Sequence, residues 1–140
     1  MKNFFIIIAL FTLTFLNVKA QNKPNDFDAV CKSQSIEMNM QAGKSYSAAV
    51  TFTNTGKKTW TKNDYWIIYT DPRMNARNNN VWGIDNIKLK KNVKPGKSYT
   101  FKFEVTAPQE PGIYFFGWML CKNDGTFGIG SEAAQINVTR

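Results

Sequence analysis

The sequence predicts an all-β fold, an antiparallel sandwich of about seven strands, and three observations carry that prediction. Segments alternating apolar with polar residues recur every ten or so positions, turn signals separate them, and none repeats its apolar residues at helical spacing.

Taken in chain order, Asp28 to Ile36 is a plausible first strand. Ser45 to Asn54 follows, with Tyr46, Ala48, Val50 and Phe52 expected inward and Ser47, Ala49, Thr51 and Thr53 outward. Asn54-Thr55-Gly56 breaks it, and after Lys57-Lys58 and Trp60 the stretch Asp64 to Thr70 predicts another strand, ended by Asp71-Pro72. A polar loop, Arg73 to Asn80, leads through Val81-Trp82-Gly83 to a short strand near Ile87 and Leu89. Pro95-Gly96 turns the chain into Lys97 to Thr106, where Tyr99, Phe101, Phe103 and Val105 share one face against Lys102 and Glu104 on the other. Pro111-Gly112 opens a run in which Tyr114, Phe116, Trp118 and Leu120 share a face. A large aromatic side chain buries 150 to 250 Å², about 4 to 6 kcal/mol before entropy is subtracted, so this face predicts core rather than site. Asn123-Asp124-Gly125 predicts a hairpin into the last strand, which ends at Ile136 and Val138, and Gly128-Ile129-Gly130 is expected to bend the chain before it.

The chain begins with Lys2, an uncharged stretch from Phe4 to Leu16, and Val18 and Ala20 at the positions a signal peptidase reads. That stretch falls short of the roughly 20 apolar residues that span a bilayer, so residues 1–20 are expected to be a signal peptide. The expected destination is the periplasm or the extracellular space, with no transmembrane segment left after cleavage. Residues 21–27 are expected as a short polar lead and residues 28–140 as one domain.

Eighteen Lys and Arg against ten Asp and Glu give a formal charge of +8, and loss of Lys2 and Lys19 leaves +6. The basic residues are scattered rather than gathered into a stripe interleaved with stacking rings, which argues against nucleic acid and leaves an anionic surface open. Cys31 and Cys121, both in the exported part, permit one disulfide across about 90 residues, worth about 4 to 5 kcal/mol in the chain-entropy picture. Two buried thiols are the equal alternative.

The chain has no histidine, which excludes Ser-His and Cys-His nucleophiles and any His metal ligand. Two distant cysteines lack zinc spacing, no phosphate-cradling Gly loop occurs, and no pair of acids suggests a glycosidase cleft. No catalytic residue, metal or cofactor is expected. A binding surface is expected instead at the loop residues Arg73, Arg77, Asn78, Asn79 and Asn80, with Trp66, Tyr69 and Trp82 beside them. The partner expected there is a protein; the alternative is a glycan stacked on exposed Trp66 and Trp82, with Asn and Arg supplying directional hydrogen bonds. Trp82 plugging one end of the core is the competing reading. Trp60, Tyr114, Phe116 and Trp118 are assigned to structure, Tyr114 lying where immunoglobulin-like folds place a corner tyrosine.

Several motifs line up in order: Asn54-Thr55-Gly56 with Trp60 six residues after the Asn, Val93-Lys94-Pro95-Gly96, Ala107-Pro108, Pro111-Gly112-Ile113-Tyr114, Trp118-Met119-Leu120 and Asp124-Gly125-Thr126-Phe127-Gly128. Together they resemble the four-tryptophan (FW) domain, the central immunoglobulin-like domain of the next-to-BRCA-one selective autophagy receptors, in its secreted bacterial form. Trp60 and Trp118 match that family's tryptophans, whereas Val50 and the last strand near Ala133 lack the other two. The resemblance implies a β-sandwich binding or spacer module and no catalysis.

Overall fold

The computed structural model of the protein describes residues 25–71, 80–123 and 125–140, and within them all regular structure is strand. The signal-peptide expectation lies outside the described residues, as do Asn78, Asn79 and both loop arginines.

Three hydrogen-bonded sheets are present among the described residues. The first joins β1 (Ala29–Ser35), β3 (Ser45–Asn54) and β6 (Ser98–Thr106) in the order β1-β3-β6. A second has the order β2-β10-β7, from β2 (Asn39–Gln41), β10 (Ala134–Thr139) and β7 (Gly112–Phe116). The third has the order β5-β4-β8-β9, from β5 (Ile87–Lys88), β4 (Tyr65–Tyr69), β8 (Trp118–Lys122) and β9 (Gly125–Phe127).

β7 and β8 are one run interrupted at Gly117, so the second and third sheets meet along it. The Gly117 carbonyl accepts the Thr70 N–H at 2.8 Å, and a Cβ at Gly117 would stand 2.8 Å from Thr70 O. Only glycine permits that close approach at the change of partner strand.

The core lies where the first sheet faces this run. Ala48, Val50 and Phe52 of β3 and Phe101 and Val105 of β6 are buried, and their neighbours in sequence point outward, as period-two alternation requires. Phe103 crosses between the layers, stacked on Phe116 at 6.3 Å and edge-on to Trp118 at 4.9 Å. Outward, Thr51 pairs with Thr100 and Thr53 with Ser98 through hydroxyl contacts of 2.8 Å, a cross-strand arrangement that supports the sheet.

The motif residues collect around one buried amide. Asn54, with 0% exposure, donates from Nδ2 to Lys58 O and Val93 O, each at 2.9 Å, and accepts the Gly56 N–H on Oδ1 at 3.1 Å. Val93 and Trp60 exchange two backbone hydrogen bonds of 2.9 Å, and Gly96 N–H donates to Asn54 O at 2.7 Å. Asn54-Thr55-Gly56, Trp60 and Val93 to Gly96 thus form a single clamp that closes one end of the sandwich.

The structure departs from the sequence expectation in three places. After β8 the chain enters the separate strand β9, paired with β8, rather than the last strand. β2 was not anticipated: only three residues long, it pairs parallel with β10, nearly a hundred residues away. Asn25 to Phe27 belong with the domain rather than with a free lead, because Asn25 O and Asp26 O accept the N–H groups of Lys57 and Lys58. The Phe27 ring also lies under Lys122 Nζ at 3.9 Å.

Candidate binding surface

β4 sorts the aromatic candidates. Its alternation turns Tyr65, Ile67 and Tyr69 into the core and leaves Trp66 and Ile68 on the outer face, each partly buried. Across the sheet Trp66 stands opposite Cys121 and Ile68 opposite Met119, so this outer face is apolar where most sandwich exteriors are polar. A recess of about 370 Å³ lies beside it, lined chiefly by Trp66, Ile68, Asn80, Asp85, Asn86 and Asn123. A partly buried indole next to amides and a carboxylate can offer a ligand both apolar contact and directional hydrogen bonds.

Asn80 takes part in the recess mainly as a brace. Its Oδ1 accepts the Trp82 N–H at 3.1 Å, its Nδ2 donates to Ile84 O, and Asp85 Oδ1 lies 3.5 Å from Nδ2. The amide therefore holds the segment 80–85 in shape, and Asn86, Asn123 and Asp85 are the other polar side chains of the lining.

Two ring assignments are corrected. Tyr69 is 5% exposed and Trp82 0% exposed, so neither can stack on a ligand. Both converge on the Phe115 carbonyl, which accepts Tyr69 OH at 3.2 Å and Trp82 Nε1–H at 3.1 Å. Trp82 also packs edge-on to Phe116 at 5.6 Å. With its one polar group satisfied, each ring gains more from burial than from solvent, and a platform of Trp66 with Trp82 does not form.

Trp60, Phe116 and Trp118 are each 0% exposed. Tyr114, half-buried at the start of β7, donates its hydroxyl to Glu110 O at 2.8 Å and so ties the chain before the strand to the strand itself.

Cys31 and Cys121 do not form a disulfide; each is a thiol. Cys31 lies on β1 opposite Phe52, and Cys121 on the outer face of β8 opposite Trp66, so the two belong to different layers. Burial pushes the Cys31 thiol above its ordinary value, and the Glu132 carboxylate adds to the shift. This thiol stays protonated at neutral pH and behaves as a small apolar side chain.

Ile68, Asp85, Asn86 and Asn123 were not among the sequence candidates. The signal for Ile68 was present, since period two from Trp66 places it on the same face. Nothing local marks Asp85, Asn86 and Asn123, which reach the recess from segments apart in the chain.

Two layers built mostly of antiparallel strands, a tyrosine corner and a core of interlocked aromatics define an immunoglobulin-like β-sandwich. The chain belongs to the family described as the Ig-like domain from next to BRCA1 gene, whose model matches residues 34–138. This agrees with the resemblance carried by the motifs. Among solved structures it is similar to the CARDB domain of a Pyrococcus furiosus protein, at 11% identity and a TM-score of 0.51, covering 81% of this chain and 94% of that one. It is also similar to Spo0M, a sporulation control protein from Bacillus subtilis, at 14% identity, a TM-score of 0.46, and coverage of 81% and 50%. A β-glucosidase from Listeria innocua in complex with glucose matches at 16% identity and a TM-score of 0.45, over 81% of this chain and 16% of that one. Among curated proteins none matches the chain in sequence.

Proposed function

We propose that the chain is an exported, non-enzymatic binding module that recognises another protein in the periplasm or the extracellular space through the recess beside Trp66. The observation that carries this reading is the sorting of the tryptophans: Trp60, Trp82 and Trp118 are fully buried, and Trp66 alone keeps part of its ring at the surface. A large apolar ring ringed by amides is the composition from which protein interfaces draw their strongest contacts. Membership of an immunoglobulin-like family supports a binding role in general terms. A glycan is the second reading, favoured by Asn86, Asn123 and Asp85 beside a single partly buried ring.

The test is capture from envelope and secreted fractions by the wild-type protein and by Trp66→Ala, followed by binding measurements with the identified partner in purified form. The expected result is one protein enriched by the wild type, with at least tenfold weaker affinity for Trp66→Ala, on the scale of an interface hot spot. Equal affinity for both forms, or retention of oligosaccharides with no protein partner, overturns the protein reading.

A further inference from the structure

β5 and β6 are end strands of different sheets, and an open seam runs between them. Within β6 the backbone direction can be read from its neighbours. Thr106 N–H donates away from β3, to Trp82 O at 2.9 Å, whereas Lys97 O accepts Asn54 N–H and Ala107 N–H donates to Lys44 O on the β3 side. Backbone groups alternate sides along a strand, so Thr100, Lys102 and Glu104 also turn their N–H and C=O groups away from β3, into the seam. On the opposite bank, Leu89 N–H donates to Tyr65 O on the β4 side and Lys90 N–H to Tyr99 OH at 3.4 Å on the seam side. By the same alternation Lys88 faces the seam.

The seam is closed at one end by the Lys90–Tyr99 contact and at the other by the Thr106–Trp82 contact. Between them lies a groove of about 840 Å³. Its apolar lining includes Ile87 and Leu89 of the core and Phe103 packed against it. Its polar lining includes four lysines, Lys62, Lys88, Lys90 and Lys102, against one acid, Glu104.

We propose that this seam binds an extended acidic segment of a partner protein, which adds as a strand to the open edge of β6 while alternate Asp or Glu side chains meet the four lysines. An edge that presents N–H and C=O in alternation at three successive outward residues matches a peptide backbone. The stretch from Thr100 to Glu104 holds about five residues of incoming strand, roughly 17 Å. Side chains on the other face of that strand would cover Phe103 and Ile87, so the sequence it selects alternates acidic with apolar residues. Charge decides against a second copy of this chain, which has 18 basic side chains to 10 acidic ones. Backbone groups of Thr100, Lys102 and Glu104 that have no backbone partner among the described residues decide for a peptide over an acidic polysaccharide, which has no amide ladder to offer. This surface adjoins the Trp66 recess, sharing Asn86 with it and setting Lys88 across from Trp66, so the Trp66→Ala variant is needed to tell failure at one site from failure at the other.

The experiment uses a labelled nine-residue peptide of alternating Glu and Val, the same peptide with alternate backbone nitrogens methylated, and an oligouronate of similar charge. The proposal expects saturable binding of the first peptide, with amide NMR shifts at Lys88, Thr100, Lys102 and Glu104. It expects affinity at least tenfold weaker for the methylated peptide and for the Lys88→Glu, Lys102→Glu double variant, whose substitutions are on exposed side chains. Trp66→Ala is expected to bind this peptide as the wild type does. Absence of binding, equal affinity for the methylated peptide, shifts confined to another surface, or tighter binding of the oligouronate at the seam each overturn it.

Discussion

Trp118→Ala is expected to lower the free energy of unfolding by about 3 to 5 kcal/mol, the cost of deleting a buried large aromatic side chain. The ring is 0% exposed and stands at the centre of an edge-on cluster, 4.9 Å from Phe103, 5.6 Å from Phe116 and 6.1 Å from Tyr69. These neighbours come from β6, β7 and β4, so no single strand can close the cavity by moving. A domain of this size has about 5 to 15 kcal/mol in total, which makes the variant marginal. Trp118→Phe is the informative control. The indole Nε1 is buried with no hydrogen-bond partner among the described residues, so the smaller ring gives up packing volume and no hydrogen bond. Urea denaturation followed by far-UV circular dichroism should rank wild type, Trp118→Phe and Trp118→Ala in that order. Equal midpoints for wild type and Trp118→Ala would show that the ring is not part of the core.

Asn54→Ala is expected to cost about 3 kcal/mol although it removes little apolar surface, because three hydrogen bonds are lost in a dry environment. Two carbonyls, Lys58 O and Val93 O, lose the Asn54 donor, and the Gly56 N–H loses its acceptor. Val93 O keeps its bond from Trp60 N–H, whereas Gly56 has no room to shift, since an added Cβ there would already meet Asp26 O and Asp28 N at 2.7 Å. Hydrogen exchange should therefore accelerate first at Gly56, Trp60 and Val93, ahead of β3 and β6. Uniform acceleration across the domain would mean that the clamp has no local stability of its own.

The parts of the fold that could be read in the sequence are those where one strand face is buried and a Pro-Gly or Asn-Thr-Gly turn fixes where it starts or stops. β3 and β6 meet both conditions, and so does the run from Gly112 to Leu120. β2 does not, because three residues show no period and its parallel partner β10 is remote in the chain. The candidate surface was half legible for a related reason. Period two separates Trp66 from Tyr69 within β4, but no local period governs Trp82, whose direction depends on the Phe115 carbonyl that its indole reaches. Asp85, Asn86 and Asn123 become neighbours only once β4, β5 and β8 are paired. The motifs that mark the family report the clamp and the core, which is why they identify the fold without identifying a ligand.

The tryptophans that mark the family, Trp60 and Trp118, are core, as is Trp82, and Trp66 is the one that keeps part of its ring at the surface. Iodide quenching of tryptophan fluorescence tests it most directly, on the wild type and on Trp66→Phe. One quenchable component is expected in the wild type and none in Trp66→Phe, since Trp60, Trp82 and Trp118 are each 0% exposed. A quenchable component that survives in Trp66→Phe and disappears in Trp82→Phe would contradict it, and would return the binding surface to the ring assigned here to the core.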